Sequence, residues 1–437
     1  MDSIKVSENL EYEMHKYMQK IFRETEKIYM KGELNPINFA DIIYLASIAI
    51  KMGQNKEKWE EIGFKLCYEI KQCVEIYKIH QGNTAILAGF GYICFAVKNY
   101  ADVSGHLKKF SESLHKLLVE ETKKKMDFKK DNWESTKSDD FDCISGASGL
   151  LLYLTTFDDI LDGDLYKDVI VALSDYLINL TKTHTYLDNE TYNFHIPCEM
   201  QYLEEEKKKF PNGNFNFGMA HGMVGPLVAL SRVYRKGYNS AELLNAIEVL
   251  FEFYRTFSVE VGENTYWPGQ LSYEDFKKQC VSAESIHYAS SWCYGNVGIL
   301  CGLIYTCENM EWLDEQKKLE RSLFAALNKP LKEFYLVSPA LCHGLSGILC
   351  ALIFLSKRCN DEKLSDKSES VIKRIITLSN RNTKWARLAP EEVETEMGRL
   401  EGYLGEYSML NGVTGIVSVF AEILYEIDVY RSLIMLS

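Results

Sequence analysis

Several features that mark common functional classes are scarce or missing in this 437-residue sequence. Proline occurs only 8 times, so few segments are interrupted. No uninterrupted apolar run reaches the roughly 18 residues that a membrane-spanning helix needs, so no membrane span is expected. The 49 Lys and Arg residues are outnumbered by 62 Asp and Glu residues, and the net charge of −13 argues against a nucleic-acid partner. The first residues lead into a stretch of charged and apolar residues and not into an apolar run, so we expect no secretory signal peptide.

Cysteine is plentiful, with 12 residues, but their spacing shows neither a C-x-x-C pair nor the framework of a small disulfide-rich domain. We therefore expect a reducing, cytoplasmic environment. There a cysteine is a buried apolar residue, a metal ligand or a nucleophile. The glycine motifs that bind phosphates or dinucleotides are missing, as is the nucleophile elbow of the hydrolases. Phosphate and dinucleotide chemistry is therefore disfavoured.

Apolar residues recur at helical spacing along most of the chain, for example in residues 42–50 and 416–425. Charged, amphipathic segments such as residues 111–124 and 361–378 lie between them. This alternation predicts an all-α protein with an inner and an outer layer of helices. Length alone allows two or three domains. A closed ring of helical hairpins instead accounts for residues 1–437 as a single domain.

Glycine, with 27 residues, is common and repeats in a pattern. A G-x-x-G element precedes five of the apolar stretches: Gly146-Ala-Ser-Gly149, Gly222-Met-Val-Gly225, Gly295-Asn-Val-Gly298, Gly344-Leu-Ser-Gly347 and Gly412-Val-Thr-Gly415. A degenerate copy occupies residues 88–91, and a first hairpin near residues 38–52 lacks the glycines. Self-similarity at such intervals signals a repeat architecture. The sequence therefore predicts seven helical hairpins that close into an α/α toroid.

Two long intervals, residues 183–217 and 257–290, differ from the rest in composition. They are rich in Tyr, Phe, Trp, Thr, Asn and Gly, and their helical periodicity is weak. We expect small irregular or β insertions there. The N-termini of the apolar helices converge on one mouth of the predicted ring, and these insertions are expected to line or cover it.

Reactive side chains stand immediately before the glycine pairs: Asp142, His221, Cys293, Cys342 and His343. If the repeats close into a ring, equivalent positions meet at its mouth. Two thiols and an imidazole suit Zn²⁺, and three protein ligands leave a fourth position open, as in catalytic zinc sites. Spacing alone leaves open whether these cysteines bind a metal or fill the core, and Cys143 is a further possible ligand.

Five motifs in this order match a known family: Phe141-Asp142-Cys-Ile-Ser-Gly146-Ala-Ser-Gly149, Gly218-Met-Ala-His221-Gly222-Met-Val-Gly225-Pro226-Leu, Ser291-Trp292-Cys293-Tyr294-Gly295, Leu341-Cys342-His343-Gly344 and Leu410-Asn411-Gly412-Val-Thr-Gly415. Through them the chain resembles the lanthionine synthetase C-like family, the lanthipeptide cyclases. The resemblance covers roughly residue 80 to the C-terminus. Its most specific parts are the Trp-Cys-Tyr-Gly and Cys-His-Gly elements. It implies a stand-alone cyclase of class I type.

The resemblance implies one Zn²⁺ ion at the mouth of an α/α toroid, held by the residues at the matching positions: Cys293, Cys342 and His343. It also assigns acid–base work to His221 and Asp142, and Tyr294 matches the tyrosine after the first ligand cysteine. The implied reaction is a zinc-dependent, Michael-type addition in lantibiotic biosynthesis. A cysteine thiol of a precursor peptide attacks dehydroalanine or dehydrobutyrine and closes a lanthionine or methyllanthionine thioether ring.

The resemblance also implies the partners. These are a dehydrated precursor peptide with its leader, a dehydratase and an ABC exporter, with the chain cytoplasmic and membrane-associated only through such partners. One departure from the family pattern concerns the basic residue that commonly precedes the Trp-Cys pair. Residues 288–291 contain no arginine, and His287 is the candidate to compensate.

The sequence leaves two alternatives to the cyclase function. Protein prenyltransferase subunits are also α/α toroids that bring a substrate thiol to zinc, but their ligands usually include a carboxylate where this chain has a second cysteine. A non-catalytic, zinc-containing scaffold that binds peptides or glutathione would carry the same ligands as a cyclase. Consumption of substrate thiols would separate a cyclase from such a scaffold.

Overall fold

The computed structural model describes residues 4–79, 83–87, 89–131, 135–157, 163–359, 361–381, 391–395, 398–402 and 407–436. The α-helices are, in chain order, α1 (Glu8–Lys31), α2 (Phe39–Lys51), α3 (Lys56–Ile79), α4 (Phe90–Ser104), α5 (Lys108–Asp131), α6 (Ser138–Phe141), α7 (Ala147–Thr156), α8 (Asp164–Leu180), α9 (Glu204–Lys209), α10 (Val224–Arg235), α11 (Ala241–Thr256), α12 (Tyr273–Lys277), α13 (Asn296–Met310), α14 (Leu313–Leu327), α15 (Leu345–Ser356), α16 (Glu362–Arg381) and α17 (Val413–Tyr425). The strands are β1 (Thr183–Tyr186), β2 (Asn189–Tyr192), β3 (Asn214–Asn216), β4 (Val259–Val261), β5 (Asn264–Tyr266), β6 (Gln270–Ser272), β7 (Glu391–Thr395) and β8 (Gly398–Gly402).

The chain forms two compact units, each built from helix pairs. One unit comprises Met1–Asn83, Phe90–Lys116 and Leu336–Tyr430, and the other comprises Thr84–Gly89, Leu117–Tyr335 and Arg431–Ser437. In the first unit α2 packs against α3, and α15 packs against α16. In the second unit the pairs are α7 with α8, α10 with α11, and α13 with α14. Each pair joins a buried helix to an amphipathic one.

The two kinds of helix follow directly from their residues. Helix α2 is buried continuously from Ala40 to Ile50, as expected for a helix that is apolar on all sides. Helix α16 buries a single stripe at helical spacing: Leu364, Ser368, Val371, Ile372, Ile375, Leu378 and Ser379. Most of the other positions from 362 to 377 are charged, and they are partly or fully exposed. Within the described residues, no helix is both long and apolar enough to cross a lipid bilayer.

The G-x-x-G elements stand at the helix starts, as the sequence predicts. The first glycine is the residue preceding α7, α13, α15 and α17, and its backbone is extended in each case. At α13 the second glycine, Gly298, is required by close packing. A Cβ atom on Gly298 would lie 2.0 Å from the carbonyl oxygen of Trp292, which real Cβ contacts do not tolerate. Ala88, which begins the degenerate copy, lies outside the described residues, whereas α4 begins at Phe90.

One helix start departs from the expected pattern. Helix α10 begins at Val224, two residues after the first glycine of its element, and Met223 precedes it. The cause is a separate turn upstream. The N–H of Gly222 donates to the Gly218 carbonyl at 2.8 Å, and the N–H of Met223 donates to the Asn216 carbonyl at 3.2 Å. These bonds hold Gly222 in the turn and delay the helix.

The two insertions contain short strands, as expected from their composition. Strands β1 and β2 form one antiparallel hairpin, and β4 and β5 form another. Strand β3 of the first insertion pairs with β6 of the second, so that Asn216 lies opposite Gln270. No pattern in the sequence predicts this pairing. It joins segments far apart in the chain into one layer of the second unit.

Candidate functional site

Asp142 lies in the turn that leads into α7, and its side chain is fully buried. Its Oδ1 accepts the backbone N–H groups of Ile144, Ser145 and Gly146 at 3.0, 2.6 and 2.8 Å. N–H groups at the start of a helix have no partner inside the helix, so this carboxylate satisfies them. The second oxygen, Oδ2, remains for a partner outside the turn.

His221 is that partner. It lies in the turn before α10, and its Nδ1 is 2.6 Å from Asp142 Oδ2. A carboxylate only accepts hydrogen bonds, so Nδ1 carries the hydrogen and donates it. The other ring nitrogen, Nε2, then accepts a proton when the ring is neutral and donates one when the ring is charged.

The surroundings of His221 favour its protonated form. Burial by itself lowers the pKa of His221, but the hydrogen bond and charge of Asp142, with the charge of Asp139, raise it more. The net pKa is above the usual 6.5. A histidine whose pKa is close to neutral can act as a general acid or a general base.

Cys293 and Tyr294 lie in a tight turn before α13. Ser291 closes this turn, because its Oγ accepts the N–H of Tyr294 at 3.1 Å and donates to the Tyr294 carbonyl at 2.7 Å. The Cys293 carbonyl accepts the N–H of Ala220 at 3.2 Å. This bond fixes the Cys293 turn against the turn that carries His221.

The Tyr294 hydroxyl remains protonated at neutral pH. Burial raises the pKa of Tyr294, and the hydrogen bond from Asn216 lowers it only in part. The Nδ2 of Asn216 donates to the Tyr294 hydroxyl oxygen at 2.7 Å. The rings of Tyr294 and His221 lie 6.2 Å apart, centroid to centroid. A phenol donor therefore stands beside the Asp142–His221 pair.

A cavity of about 420 Å³ opens beside these groups, and both His221 and Tyr294 line it. Further lining comes from the short helix α6 and from both insertions: Ser138, Asp139, Ile196, Met200, Gln201, Tyr202, Glu206, Asn214, Asn216 and Gln270. Polar and apolar surfaces are mixed in this lining. The cavity therefore offers both hydrogen bonds and apolar contacts to a ligand next to the Asp142–His221 pair.

Cys293, Cys342 and His343 are the candidate metal ligands. Cys293 belongs to the second unit, and Cys342 and His343 belong to the first. Both thiols are buried and the imidazole is half-buried. Two thiols and an imidazole are the donors that zinc prefers, and three protein ligands leave one coordination position open. The chemistry of these donors therefore fits a catalytic zinc ion.

A cluster of possible metal ligands also lies within the second unit. Asp139, Asp142 and His221 each offer a ligand atom within 4.8 Å of the others. In this cluster the Nδ1 of His221 is already hydrogen-bonded to Asp142, and Asp142 is bonded to three backbone N–H groups. We interpret this cluster as a proton-transfer site.

Cys143, the further possible ligand, and His195 of the first insertion both make hydrogen bonds that hold the surrounding backbone. The Cys143 thiol is buried and donates to the carbonyls of Met219 and Ala220, both at 3.3 Å. The His195 ring is buried, and its Nε2 is 2.9 Å from the Asn212 carbonyl. Burial lowers the pKa of His195 to about 4, so this ring is neutral at pH 7. Both residues support the packing around the site.

The segment before Trp292 lacks the family's basic residue, and His287 does not supply its charge. Burial lowers the pKa of His287, so the ring is largely neutral at pH 7. A buried ammonium lies behind the turn instead. Lys329 Nζ donates to Ser290 Oγ at 2.9 Å and to the Tyr266 hydroxyl at 3.2 Å. Sequence reasoning missed Lys329 because it follows α14, far along the chain from Trp292.

Asp139 and Asn216 were also missed by sequence reasoning, and each has a sequence signal. Asp139 stands three residues before Asp142 in an acidic string that forms α6. Asn216 is a polar residue between two aromatic ones, in a strand whose three residues are all buried. A buried polar side chain needs a hydrogen-bond partner, which makes such a residue a candidate for the site.

Comparison with known proteins identifies the family. A profile described as lanthionine synthetase C-like protein matches residues 42–432, most of the chain. The chain belongs to the lanthionine synthetase C-like family. The nisin biosynthesis protein NisC of Lactococcus lactis subsp. lactis is 27% identical to the chain over 300 residues, which are 68% of the chain. The chain spans 64% of the length of that relative.

The fold comparison extends over the whole chain. A solved structure of nisin cyclase matches with a TM-score of 0.76 at 20% identity, covering 98% of each chain. This likeness, together with the helix content and the small sheets, confirms the predicted fold class, an all-α α/α toroid with small β insertions.

Proposed function

We propose that this chain is a zinc-dependent lanthipeptide cyclase. Its substrate would be a dehydrated precursor peptide with its leader, and its product a peptide with lanthionine or methyllanthionine rings. The observation that carries the proposal is the Asp142–His221 pair, which lies against the turn of Cys293 and Tyr294 and opens onto one cavity. Membership of the family and the likeness to nisin cyclase support it.

The metal part of the proposal concerns Cys293, Cys342 and His343. These residues would hold one Zn²⁺ ion through two sulfur atoms and one ring nitrogen. When bound, the ion lowers the pKa of a thiol that reaches it, so that the peptide sulfur reacts as a thiolate at neutral pH.

Proton transfer is the work that we assign to His221. The peptide sulfur forms a bond to the β-carbon of the dehydro residue, and the π electrons move onto its carbonyl as an enolate. His221 Nε2 takes the thiol proton and returns it to the α-carbon, so the peptide neither gains nor loses atoms. Asp142 holds the ring in the required tautomer and stabilises its charged form.

Charge stabilisation is the work that we assign to Tyr294. Its hydroxyl is protonated at neutral pH and lines the cavity beside His221. A hydrogen bond from this hydroxyl to the enolate oxygen would be stronger than one to the neutral carbonyl, because negative charge develops on that oxygen.

Incubation with a dehydrated precursor peptide tests the proposal. The peptide is sampled over time, alkylated and weighed by mass spectrometry, since a cyclised cysteine no longer reacts with the alkylating agent. We expect alkylation to fall while the unalkylated mass stays constant, and we expect His221→Ala to abolish this loss. His106→Ala is the matched control, since His106 lies in the loop between α4 and α5.

Persistent thiols with several dehydrated precursors would instead favour a zinc-containing scaffold that binds peptides or glutathione. We further propose that the chain works in the cytoplasm and meets a dehydratase and an ABC exporter through the leader-bearing peptide. Copurification of the three proteins in the presence of the precursor, but not of a leaderless peptide, tests these partners.

A further inference from the structure

Asn216 connects the insertions to the proposed catalytic groups. It ends strand β3, is almost fully buried and lines the cavity. Its backbone carbonyl accepts the N–H of Met223, and its side-chain Oδ1 accepts the N–H of Gly218 at 3.0 Å. These bonds anchor Asn216 at both ends of the turn that carries His221.

The bond from Gly218 decides how the Asn216 amide is oriented. A backbone N–H only donates, so the atom that faces Gly218 is the amide oxygen. The amide nitrogen must then face Tyr294, at 2.7 Å from its hydroxyl oxygen. An amide N–H also only donates, so the Tyr294 oxygen is the acceptor in this bond.

The direction of this hydrogen bond determines which acceptor the hydroxyl hydrogen of Tyr294 can face. Because the hydroxyl oxygen accepts from Asn216, its own hydrogen is not used in that bond and is left for another acceptor. Among the described residues, the structure shows no acceptor for that hydrogen. Tyr294 lines the cavity, so a ligand oxygen in the cavity can receive it. Accepting one bond also strengthens a hydroxyl as a donor of the next.

We propose that Asn216 is a positioning residue that makes the Tyr294 hydroxyl a dedicated hydrogen-bond donor to the substrate carbonyl oxygen in the cavity. This inference rests on the proposed cyclase function and gives the first insertion a role in it. Strand pairing with β6 supports Asn216 from the second insertion, where Gln270 lies opposite it. The two insertions would thus set the direction of a donor that belongs to the α13 turn.

An isosteric exchange provides a sharp test. Asn216→Asp keeps the shape and the acceptor for Gly218, but a carboxylate cannot donate, so the Tyr294 hydrogen would turn toward it and away from the cavity. Rates of thiol loss are measured for Asn216→Asp, Tyr294→Phe and the double variant, with zinc content and melting temperature recorded for each. Asn189→Asp adds the same charge to the same insertion in strand β2 and serves as the control.

We expect Asn216→Asp and Tyr294→Phe each to lower kcat by about 10²- to 10³-fold, the range for loss of one oxyanion donor, with KM nearly unchanged. The double variant should be no slower than the worse single one. A wild-type rate in Asn216→Asp, or loss factors that multiply in the double variant, would overturn the inference. If Asn216→Asp does not fold, Asn216→Ala replaces it in the same comparison. Inactivity of the wild-type chain would refute the proposed function, and this inference with it, before any variant is compared.

Discussion

Two substitutions of Asp142 should separate its proposed catalytic role from its structural one. In Asp142→Asn the amide oxygen can still accept the three N–H groups at the start of α7. The amide nitrogen would face His221 Nδ1 and donate to it, so the ring hydrogen moves to Nε2. The imidazole would then be held in the tautomer that cannot take a proton from the substrate.

The sizes of the two effects follow from the contacts. A positioned acid–base group contributes about 10²- to 10⁴-fold, which corresponds to about 3–5 kcal/mol of barrier for Asp142→Asn. Asp142→Ala leaves the N–H of Gly146 buried without its acceptor, and the half-buried N–H groups of Ile144 and Ser145 lose theirs too. With about 1–3 kcal/mol for a buried unsatisfied donor and less where water can reach, we expect a loss of about 2–4 kcal/mol in the free energy of unfolding.

The two variants are compared in two assays. Thiol loss from a dehydrated precursor gives the rate, and thermal unfolding followed by circular dichroism gives the stability. We expect Asp142→Asn to be folded and slow, and Asp142→Ala to be slow with a lower melting temperature. An Asp142→Asn variant with the wild-type rate would refute the orienting role. An Asp142→Ala variant with the wild-type melting temperature would refute the structural account of the α7 turn.

Three further predictions follow from other contacts. In the metal-free chain, NMR titration of labelled histidine should show a titration midpoint for His221 above 6.5. Because folding raises the pKa of His221, the stability that this residue contributes is complete below pH 6.5 and is lost as the pH rises through that midpoint. Cys342→Ala should lower the zinc content measured by atomic emission from one per chain toward zero, whereas Cys350→Ala, further along the same apolar region in α15, should leave it near one. Gly298→Ala should lower the melting temperature strongly, because its Cβ would meet a carbonyl oxygen at 2.0 Å, while Gly225→Ala, with its nearest contacts at 3.5 Å, should lower it far less.

The fold class was predictable because hydrophobic periodicity and the glycine pairs act locally. The residues that begin α7, α13, α15 and α17 are those after the first glycine of each pair, as the sequence predicts. Gly298 illustrates the physical reason: another backbone segment approaches so closely that there is no room for a side chain, so the position must be glycine. A local constraint of this kind restricts the residue type at a single position, so it can be recognised in the sequence. The assignments of Cys293, Cys342 and His343 as ligands stay predictions.

What the sequence did not reveal depends on pairing between distant segments. Strand β3 has three residues, too few for a periodic pattern, and its partner β6 is in the other insertion. Nothing in either insertion marks the register that brings Asn216 opposite Gln270. Lys329 was missed for the same reason, because its hydrogen bonds to Ser290 and Tyr266 join the end of α14 to the second insertion. Such contacts arise from tertiary packing and have no local signature.

The division between turns and insertions has a consequence for substrate choice. The hydrogen bonds that hold Asp142 and His221 come from the turns before α7 and α10. Much of the cavity wall comes from the insertions, through residues such as Met200, Tyr202 and Gln270. Exchanges at these wall positions change the surface that a peptide contacts without removing a bond of the Asp142–His221 pair. Under the proposed function, exchanges at these wall positions should therefore change which ring is closed, while the Asp142–His221 pair stays intact.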